Sequence, residues 1–152
     1  MSMELRVRPA VPDDLVRAAE IQRACLSRPW TADQLCDSLR RESYCLLIAE
    51  FGGVAVGTAD FVLTGDYAEI CNLAVLPAFR RRGVATALMT RAEEIAKEEG
   101  GASITLEVSE QNTQARAFYA ALGFQAEGRR PGFYGEEAAL ILWKHFGASA
   151  DR

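Results

Sequence analysis

The sequence predicts one α/β domain whose mixed, mostly antiparallel sheet has about seven strands and is covered by about four helices. The first observation is the order of elements, because short apolar strands and amphipathic helical segments follow one another as βααβββαβαββ. The second is the length, since 152 residues suit a single domain with a sizeable core. The third is the composition, with 49% hydrophobic and 25% charged residues, which is typical of a folded globular chain.

Two helices are predicted before the first long strand. Pro12 and the two acidic residues after it open the first helix, because proline suits the first turn and acids suit the positive end of the helix dipole. Gln22 interrupts the otherwise apolar inward stripe of this helix. Thr31 and the glutamine three residues later form a capping-box pattern that opens the second helix. Two more helices are expected after Gly83 and Asn112, where apolar residues recur with helical spacing.

The strands are predicted from apolar runs that end at glycine, proline or other turn residues. The Gly-Gly pair after Phe51 indicates a hairpin, and Pro77 ends the fourth predicted strand. The domain is expected to occupy residues 1–146, with 147–152 as a flexible tail. The expected strands are 5–8, 44–51, 54–63, 67–76, 103–109, 124–128 and 139–144.

Charge and residue counts exclude several classes of function. The 17 basic and 21 acidic side chains give a net charge of −4, which disfavours a general nucleic-acid binder. With a single histidine, His145, and four cysteines without a C-x-x-C pair, we expect no metal site and reduced, mostly buried thiols. No apolar run reaches the roughly 20 residues of a membrane span, and the N-terminus has no signal-peptide stretch. We therefore expect a cytoplasmic protein that binds neither nucleic acid nor membrane.

The sharpest motif is a basic turn between a strand end and a helix start. Free main-chain N–H groups and the helix dipole at such a position favour a bound anion, and Gly83 leaves the chain bare enough for a phosphate to approach closely. The alternative is a solvated basic turn that leads into an ordinary helix. The turn is neither a Walker loop nor a G-x-G-x-x-G dinucleotide turn. Its residues are Arg80, Arg81, Arg82, Gly83, Val84, Ala85 and Thr86.

This turn resembles the R/Q-x-x-G-x-G/A pyrophosphate loop of the GNAT acetyltransferase superfamily. The match is Arg80-x-x-Gly83-x-Ala85, directly after the strand segment 72–79. The L-E-V segment 106–108 and the pattern Asn112-x-x-Ala-x-x-x-Tyr119 before Gly-Phe continue the resemblance, which spans roughly residues 4–144. Together with Arg-Pro-Trp-Thr at 28–31, these segments are similar to the RimI-type branch of ribosomal-protein-alanine N-acetyltransferases.

The resemblance implies a GNAT fold in which strands four and five splay apart to bind acetyl-CoA as co-substrate. The pantetheine arm would pair with the open edge of the fourth strand, which offers main-chain donors and acceptors, and the pyrophosphate would lie on the basic turn. The implied cofactor-binding residues are Leu73, Ala74 and Val75 on the strand, Arg80, Arg81, Arg82, Gly83, Val84, Ala85 and Thr86 in the turn, and Asn112 and Tyr119 at the last helix.

The resemblance also implies two catalytic side chains. Glu107 matches the general base of the RimI-type branch, acting through water, although the strand pattern alone favours a solvent-facing carboxylate. Tyr119 matches the acid that protonates the departing CoA thiolate, although its place on an apolar helical stripe alone indicates a core tyrosine. Asn112 is equally consistent with a simple helix cap. We expect direct attack in a ternary complex, because the sequence shows no nucleophile constellation.

Trp30, Glu69 and Tyr134 are the candidates for binding the acceptor, with packing between helices as the alternative for Trp30 and solvent exposure for Glu69. The segment 130–139 departs from the R-x-N-Y-Y and E-D-A patterns of the branch. The branch implies acetylation of a protein N-terminal α-amine, such as the alanine of a small-subunit ribosomal protein, by a monomer or weak homodimer. The alternatives are a small-molecule amine or lysine side-chain acetyltransferase and a non-catalytic acetyl-CoA-binding regulator.

Overall fold

The fold is built on one seven-stranded sheet, which a computed structural model describes for residues 4–132 and 136–147. The strands lie in the order β1-β2-β3-β4-β5-β7-β6, and β4 and β5 are parallel whereas the other neighbours are antiparallel. The last strand therefore lies between β5 and β6. The strands are β1 Leu5–Pro9, β2 Tyr44–Phe51, β3 Val54–Thr64, β4 Tyr67–Val75, β5 Ser103–Ser109, β6 Gln125–Arg130 and β7 Ala139–His145.

Four α-helices cover the two faces of the sheet. They are α1 Leu15–Cys25, α2 Ala32–Leu39, α3 Val84–Glu98 and α4 Thr113–Ala121. Helices α1 and α2 pack on one face of β2, β3 and β4 and bury a smaller apolar cluster. Helices α3 and α4 cover the opposite face and bury the larger cluster, which extends from β2 to β7. The two-layered burial explains why β2 and β3 are apolar on both faces.

The predicted elements are confirmed, with small differences at their ends. The strands β2 and β5 have the expected bounds, and β6 begins one residue later than expected and continues to Arg130. A 3₁₀ turn at Pro12–Asp14 precedes α1, whose N-terminus lies at Leu15. Thr31 caps α2 through the expected capping box, in which its hydroxyl accepts from the Gln34 amide.

The expectation of mostly buried cysteines was wrong. Cys71 is exposed and the other three are half-buried. Cys71 is the extra residue of a bulge in β4, because Asp60 pairs with Asn72 whereas Phe61 pairs with Ile70. A bulge leaves one residue without a cross-strand partner and disturbs the alternation of faces, so the apolar pattern of this strand does not predict where that side chain lies.

The sheet opens between its two parallel strands. β4 and β5 pair over three positions, from Tyr67 with Ser103 to Glu69 with Thr105. Beyond Glu69, β4 continues to pair with β3 on its other side, and β5 continues to pair with β7. The facing edges of the two strands therefore diverge into a gap, as the resemblance implied.

No helix in residues 4–132 and 136–147 is both long enough and apolar enough to cross a membrane.

Candidate active site

The edge of β4 that faces the gap offers main-chain groups from alternate residues. The Leu76 amide donates to the Val56 carbonyl, so Leu76 faces β3. Since main-chain groups alternate in direction along an antiparallel pair, Ala74 also faces β3, whereas Leu73 and Val75 face the gap. Ala74 lines the cleft without directing its own amide into it. An amide-bearing ligand in the gap can therefore pair with two residues of this strand.

The carbonyl of Val75 already has two donors. Arg80 reaches back from the basic turn and donates from Nε at 3.0 Å, and the Cys25 thiol at the end of α1 donates at 3.3 Å. These contacts tie the end of β4 to the turn on one side and to α1 on the other. The amide of Val75 and both main-chain groups of Leu73 remain directed at the gap.

The basic turn has the geometry of an anion site. Arg81 and Gly83 both have left-handed backbone, with φ of 63° and 82°. Gly83 is the N-cap of α3 and supplies no side-chain acceptor, so the first amides of the helix at Val84, Ala85 and Thr86 are left to a ligand or solvent. Amides that converge at a helix N-terminus favour negative charge.

The three arginines of the turn are exposed and keep their charge available. Arg80, Arg81 and Arg82 form no ion pair with another residue in the part of the chain that the structure describes. Arg82 instead lies over the Phe79 ring, with 5.5 Å between its guanidinium carbon and the ring centroid. The turn is therefore a local positive patch on a chain of net charge −4.

A continuous cleft runs from this turn to the gap. One cavity of about 260 Å³ lies against the turn, and a second of about 430 Å³ lies against the end of β4 and the start of α4. They share four lining residues, which are Val75, Arg80, Ala85 and Phe118. A ligand with an anionic end and an extended amide-bearing arm fits a cleft of this shape and chemistry.

Gly57 on β3 is a requirement of this cleft that sequence reasoning missed. A Cβ at this position would lie 3.0 Å from Cγ1 of Val84 and 3.2 Å from the Ala74 carbonyl. The absence of a side chain lets the first turn of α3 approach the sheet beside β4. An isolated glycine within an apolar strand was the available signal, since such a residue often marks a close approach.

Tyr119 lies at the inner end of the cleft. It is buried on α4, with edge-on aromatic contacts to Phe118 and Phe124. Burial raises the pKa of Tyr119 to about 12, so the phenol stays protonated at neutral pH. The side chain lines the 430 Å³ cavity and is therefore both a core residue and a proton donor within reach of a ligand there.

Asn112 caps a helix and also lines the cleft. Its Oδ1 accepts from the Ala115 amide at 3.1 Å and so caps α4. The residue also lines the 430 Å³ cavity, and its Nδ2 donor is not used by the cap.

Glu107 lies on the opposite side of the sheet from Tyr119. Alternation along β5 places Val108 in the same apolar cluster as Tyr119 and directs Glu107 toward the face of α1 and α2. Glu107 is exposed and lines a separate cavity of about 650 Å³, which also touches Arg28 and Glu136. The Glu107 and Tyr119 side chains thus line two separate cavities.

The carboxylate of Glu107 is held by Arg130 on β6. Nε of Arg130 donates to Oε1 of Glu107 at 3.0 Å, and Nη2 lies 2.8 Å from the same oxygen. This contact raises the pKa of Arg130, because the guanidinium is stabilised by the carboxylate. Across the same cavity Arg28 forms an exposed ion pair with Glu136 at 3.3 Å, and the cavity therefore lies between the α1–α2 turn and the segment that precedes β7.

The acceptor-side candidates have different positions. Trp30 is half-buried and stacks on Tyr44, with 6.0 Å between ring centroids, and it packs against the cluster under α1 and α2. Glu69 is exposed at the last paired position before the gap. Tyr134 lies outside the described residues. The structure thus favours the packing role for Trp30 and places Glu69 at the edge of the gap.

His145 bridges two neighbouring strands at the other end of β5. Its Nδ1 lies 2.7 Å from Ser103 Oγ and its Nε2 lies 2.9 Å from Glu127. Ser103 is buried, and none of the three residues lines the cavities described above. We assign the array a role in joining β5, β7 and β6. Within residues 4–132 and 136–147, no three His, Cys, Asp or Glu side chains cluster as metal ligands would.

Comparisons with known proteins agree on one family. Residues 14–124 match the acetyltransferase (GNAT) family. Over 146 residues the chain is 30% identical to a Bacillus subtilis (strain 168) protein named "Putative ribosomal protein bS18-alanine N-acetyltransferase", and the match covers 94% of this chain and 97% of that one.

Solved structures show the same fold. The ribosomal-protein-S18-alanine N-acetyltransferase from Escherichia coli superposes with a TM-score of 0.83 at 26% identity, over 93% of this chain and 94% of that one. The PaiA N-acetyltransferase from Thermoplasma acidophilum, solved in complex with coenzyme A, superposes with a TM-score of 0.82 at 21% identity, over 95% and 100% of the two chains.

Proposed function

Because the chain belongs to the GNAT acetyltransferase family and is an acetyl-CoA-dependent N-acetyltransferase, we propose that its acceptor is the α-amine of a protein N-terminus. The favoured acceptor is an N-terminal alanine of a small-subunit ribosomal protein, the substrate named for two relatives that match this chain over nearly its whole length. The observation that carries the proposal is the position of Glu107, in a cavity between two chain segments and beside the gap.

The cofactor occupies the cleft in this proposal. Its pyrophosphate lies on the amides of Val84, Ala85 and Thr86 beside the free arginines, and its pantetheine pairs with Leu73 and Val75. An amide of this strand also polarises the thioester carbonyl, since preorganised donors stabilise the negative charge that develops on that oxygen during attack. Asn112 Nδ2 adds a donor at the start of α4.

Glu107 acts on the acceptor side. An α-amine with a pKa of about 8 is partly neutral at pH 7, whereas a lysine side chain with a pKa of about 10.4 is almost wholly charged. A carboxylate that takes the proton of the amine, directly or through one water, is sufficient to activate an α-amine. Arg130 keeps this carboxylate fixed at the gap while leaving its second oxygen available.

Tyr119 acts on the cofactor side. The departing CoA thiolate needs a proton, and the Tyr119 phenol, still protonated at neutral pH, lies in the wall of the cleft. The amine attacks the thioester directly, so that the acetyl group moves between the two substrates without an acetyl-enzyme.

The proposal is tested with peptides that differ only at their first residue, together with an N-terminally blocked peptide that contains lysine. We expect acetylation of the free N-terminus, fastest when the first residue is alanine, and none of the blocked peptide. If the blocked peptide is acetylated and the free N-termini are not, the proposal is wrong and the acceptor is a lysine side chain. Binding of acetyl-CoA without turnover on any amine would indicate the regulator instead.

A further inference from the structure

Asp60 is a buried carboxylate that the proposed mechanism does not use. It lies on β3 beneath α1, with no exposed surface. Burial raises its pKa to about 6, although hydrogen bonds from Tyr44 and Asn72 favour the ionised form. Its Oδ1 has no partner among the described residues. A carboxylate in this position costs folding free energy, which an apolar side chain of similar size would not.

The contacts of Asp60 converge on the bulge of β4. The Tyr44 hydroxyl donates to Oδ2 from β2, and the Asn72 side-chain amide donates to the same oxygen at 3.2 Å from β4. The main-chain amide of Asn72 also favours the ionised carboxylate. Asn72 directly follows the bulged residue Cys71 and directly precedes Leu73. Asp60 therefore contacts β4 beside the bulge, directly before the residues of β4 that face the gap.

The same network extends to Trp30, in the segment between α1 and α2. The Trp30 ring stacks on Tyr44, with 17° between the two planes. The Trp30 main-chain amide donates at 2.8 Å to Oε1 of Gln22, which is itself fully buried on α1. The titratable groups that face Asp60 are the Tyr44 hydroxyl on β2 and the Cys71 thiol on β4.

We propose that Asp60 is a positioning residue, which acts through Asn72 to fix the bulge of β4 and thereby the Leu73 and Val75 edge that binds the pantetheine arm of CoA. A bulge has no regular ladder to hold it, so a charged acceptor that binds the side-chain amide of the residue after it sets the direction of the edge. The inference rests on the proposed function for the position of the pantetheine. It does not depend on which amine is acetylated.

The test is the affinity for CoA alone, measured by calorimetry at neutral pH. We expect Asp60→Asn and Asn72→Ala each to raise the dissociation constant about tenfold, the change expected from the loss of one hydrogen bond to a charged group. The double variant should be no weaker than either single one, because both substitutions break the same contact. The matched control is Asp66→Asn, an exposed carboxylate in the turn of the same hairpin, which should leave the affinity unchanged.

A pH series separates positioning from a purely structural role. As pH falls through about 6, Asp60 becomes protonated, and CoA affinity should weaken more in the wild type than in Asp60→Asn, since titration of CoA itself is common to both. An unchanged affinity in a folded Asp60→Asn protein, or additive effects in the double variant, would overturn the inference. If Asp60→Asn does not fold, the test uses Asn72→Ala alone. An unaltered CoA affinity in that variant would equally contradict the inference.

Discussion

Arg130 donates a hydrogen bond from Nε to Oε1 of Glu107 at 3.0 Å, and its Nη2 lies 2.8 Å from the same oxygen, across the intervening strand β7. The preceding arginine, Arg129, instead donates to both carboxylate oxygens of Glu110, at 2.9 and 3.1 Å, outside the 650 Å³ cavity that Glu107 lines. The two pairs are adjacent and chemically alike, and only the first touches that cavity. They therefore provide a natural comparison between a carboxylate placed for chemistry and one placed on the surface.

Glu107→Gln should lower kcat about a hundredfold, the lower end of what a positioned general base contributes. The affinity for acetyl-CoA should not change, because Glu107 lines a cavity that shares no lining residue with the cleft. Steady-state kinetics and calorimetry measure the two quantities. Glu110→Gln is the control and should behave as wild type. An equal loss in both variants would remove Glu107 as the base.

Arg130→Ala should lower kcat about tenfold, since the Glu107 carboxylate would no longer be held in one place and small displacements of a catalytic group are costly. The KM for acetyl-CoA should remain as in the wild type. Arg129→Ala, with the same loss of charge, should have no comparable effect. If the two variants have the same kcat, the pairing with Glu107 has no part in catalysis.

Tyr119→Phe should lower kcat about a hundredfold with little change in thermal stability, because the ring remains in its apolar contacts and only the hydroxyl is lost. Since the pKa of Tyr119 is about 12, wild-type activity should show no decline from tyrosine ionisation as pH rises to about 9. Tyr67→Phe, which alters a tyrosine outside the cleft, serves as the control. Wild-type turnover in Tyr119→Phe would show that another group protonates the thiolate.

Gly57→Ala should weaken CoA binding and destabilise the fold by about 1–3 kcal/mol, the usual cost of an added methyl in a packed interior. The new Cβ would press on Val84 at the first turn of α3 and on the carbonyl of Ala74. Calorimetry with CoA and urea unfolding measure the two effects. A variant that is less stable in urea but binds CoA as tightly as the wild type would show that CoA binding does not need this close approach of α3.

The stability of the wild type should fall relative to Asp60→Asn as pH rises from about 4 to about 7. The folded pKa of Asp60, about 6, lies above the usual aspartate value, so in this window the native state binds more protons than the unfolded state. Raising the pH therefore favours unfolding, by about 3 kcal/mol in total. Urea unfolding across this range checks the sign, and parallel curves for the two proteins would contradict the raised pKa.

Local features of the sequence were sufficient to predict much of the fold and to single out several residues that line the cleft. Strand bounds followed from apolar runs between turn residues, as for β2 and β5. The basic turn was recognisable because an anion site at a helix N-terminus needs few residues, close together in the chain. Asn112 and Tyr119 were found through a pattern contained within a single helix.

Features that depend on distant pairing could not be predicted in this way. Arg130 meets Glu107 because β7 lies between β5 and β6, and nothing in the segment around either residue specifies that order. Asp60 is a charged residue within an otherwise apolar stretch of β3, and it is buried because α1 packs on that strand. Cys71 was misplaced for the related reason that a bulge arises from the pairing of two strands.

The most direct test of the central claim uses one peptide that carries both a free N-terminal alanine and an internal lysine. The peptide is incubated with the protein and acetyl-CoA, and tandem mass spectrometry locates the acetyl group. The account predicts acetylation of the α-amine of the first residue, abolished together with turnover in Glu107→Gln. Acetylation of the lysine side chain with a free N-terminus remaining would contradict it.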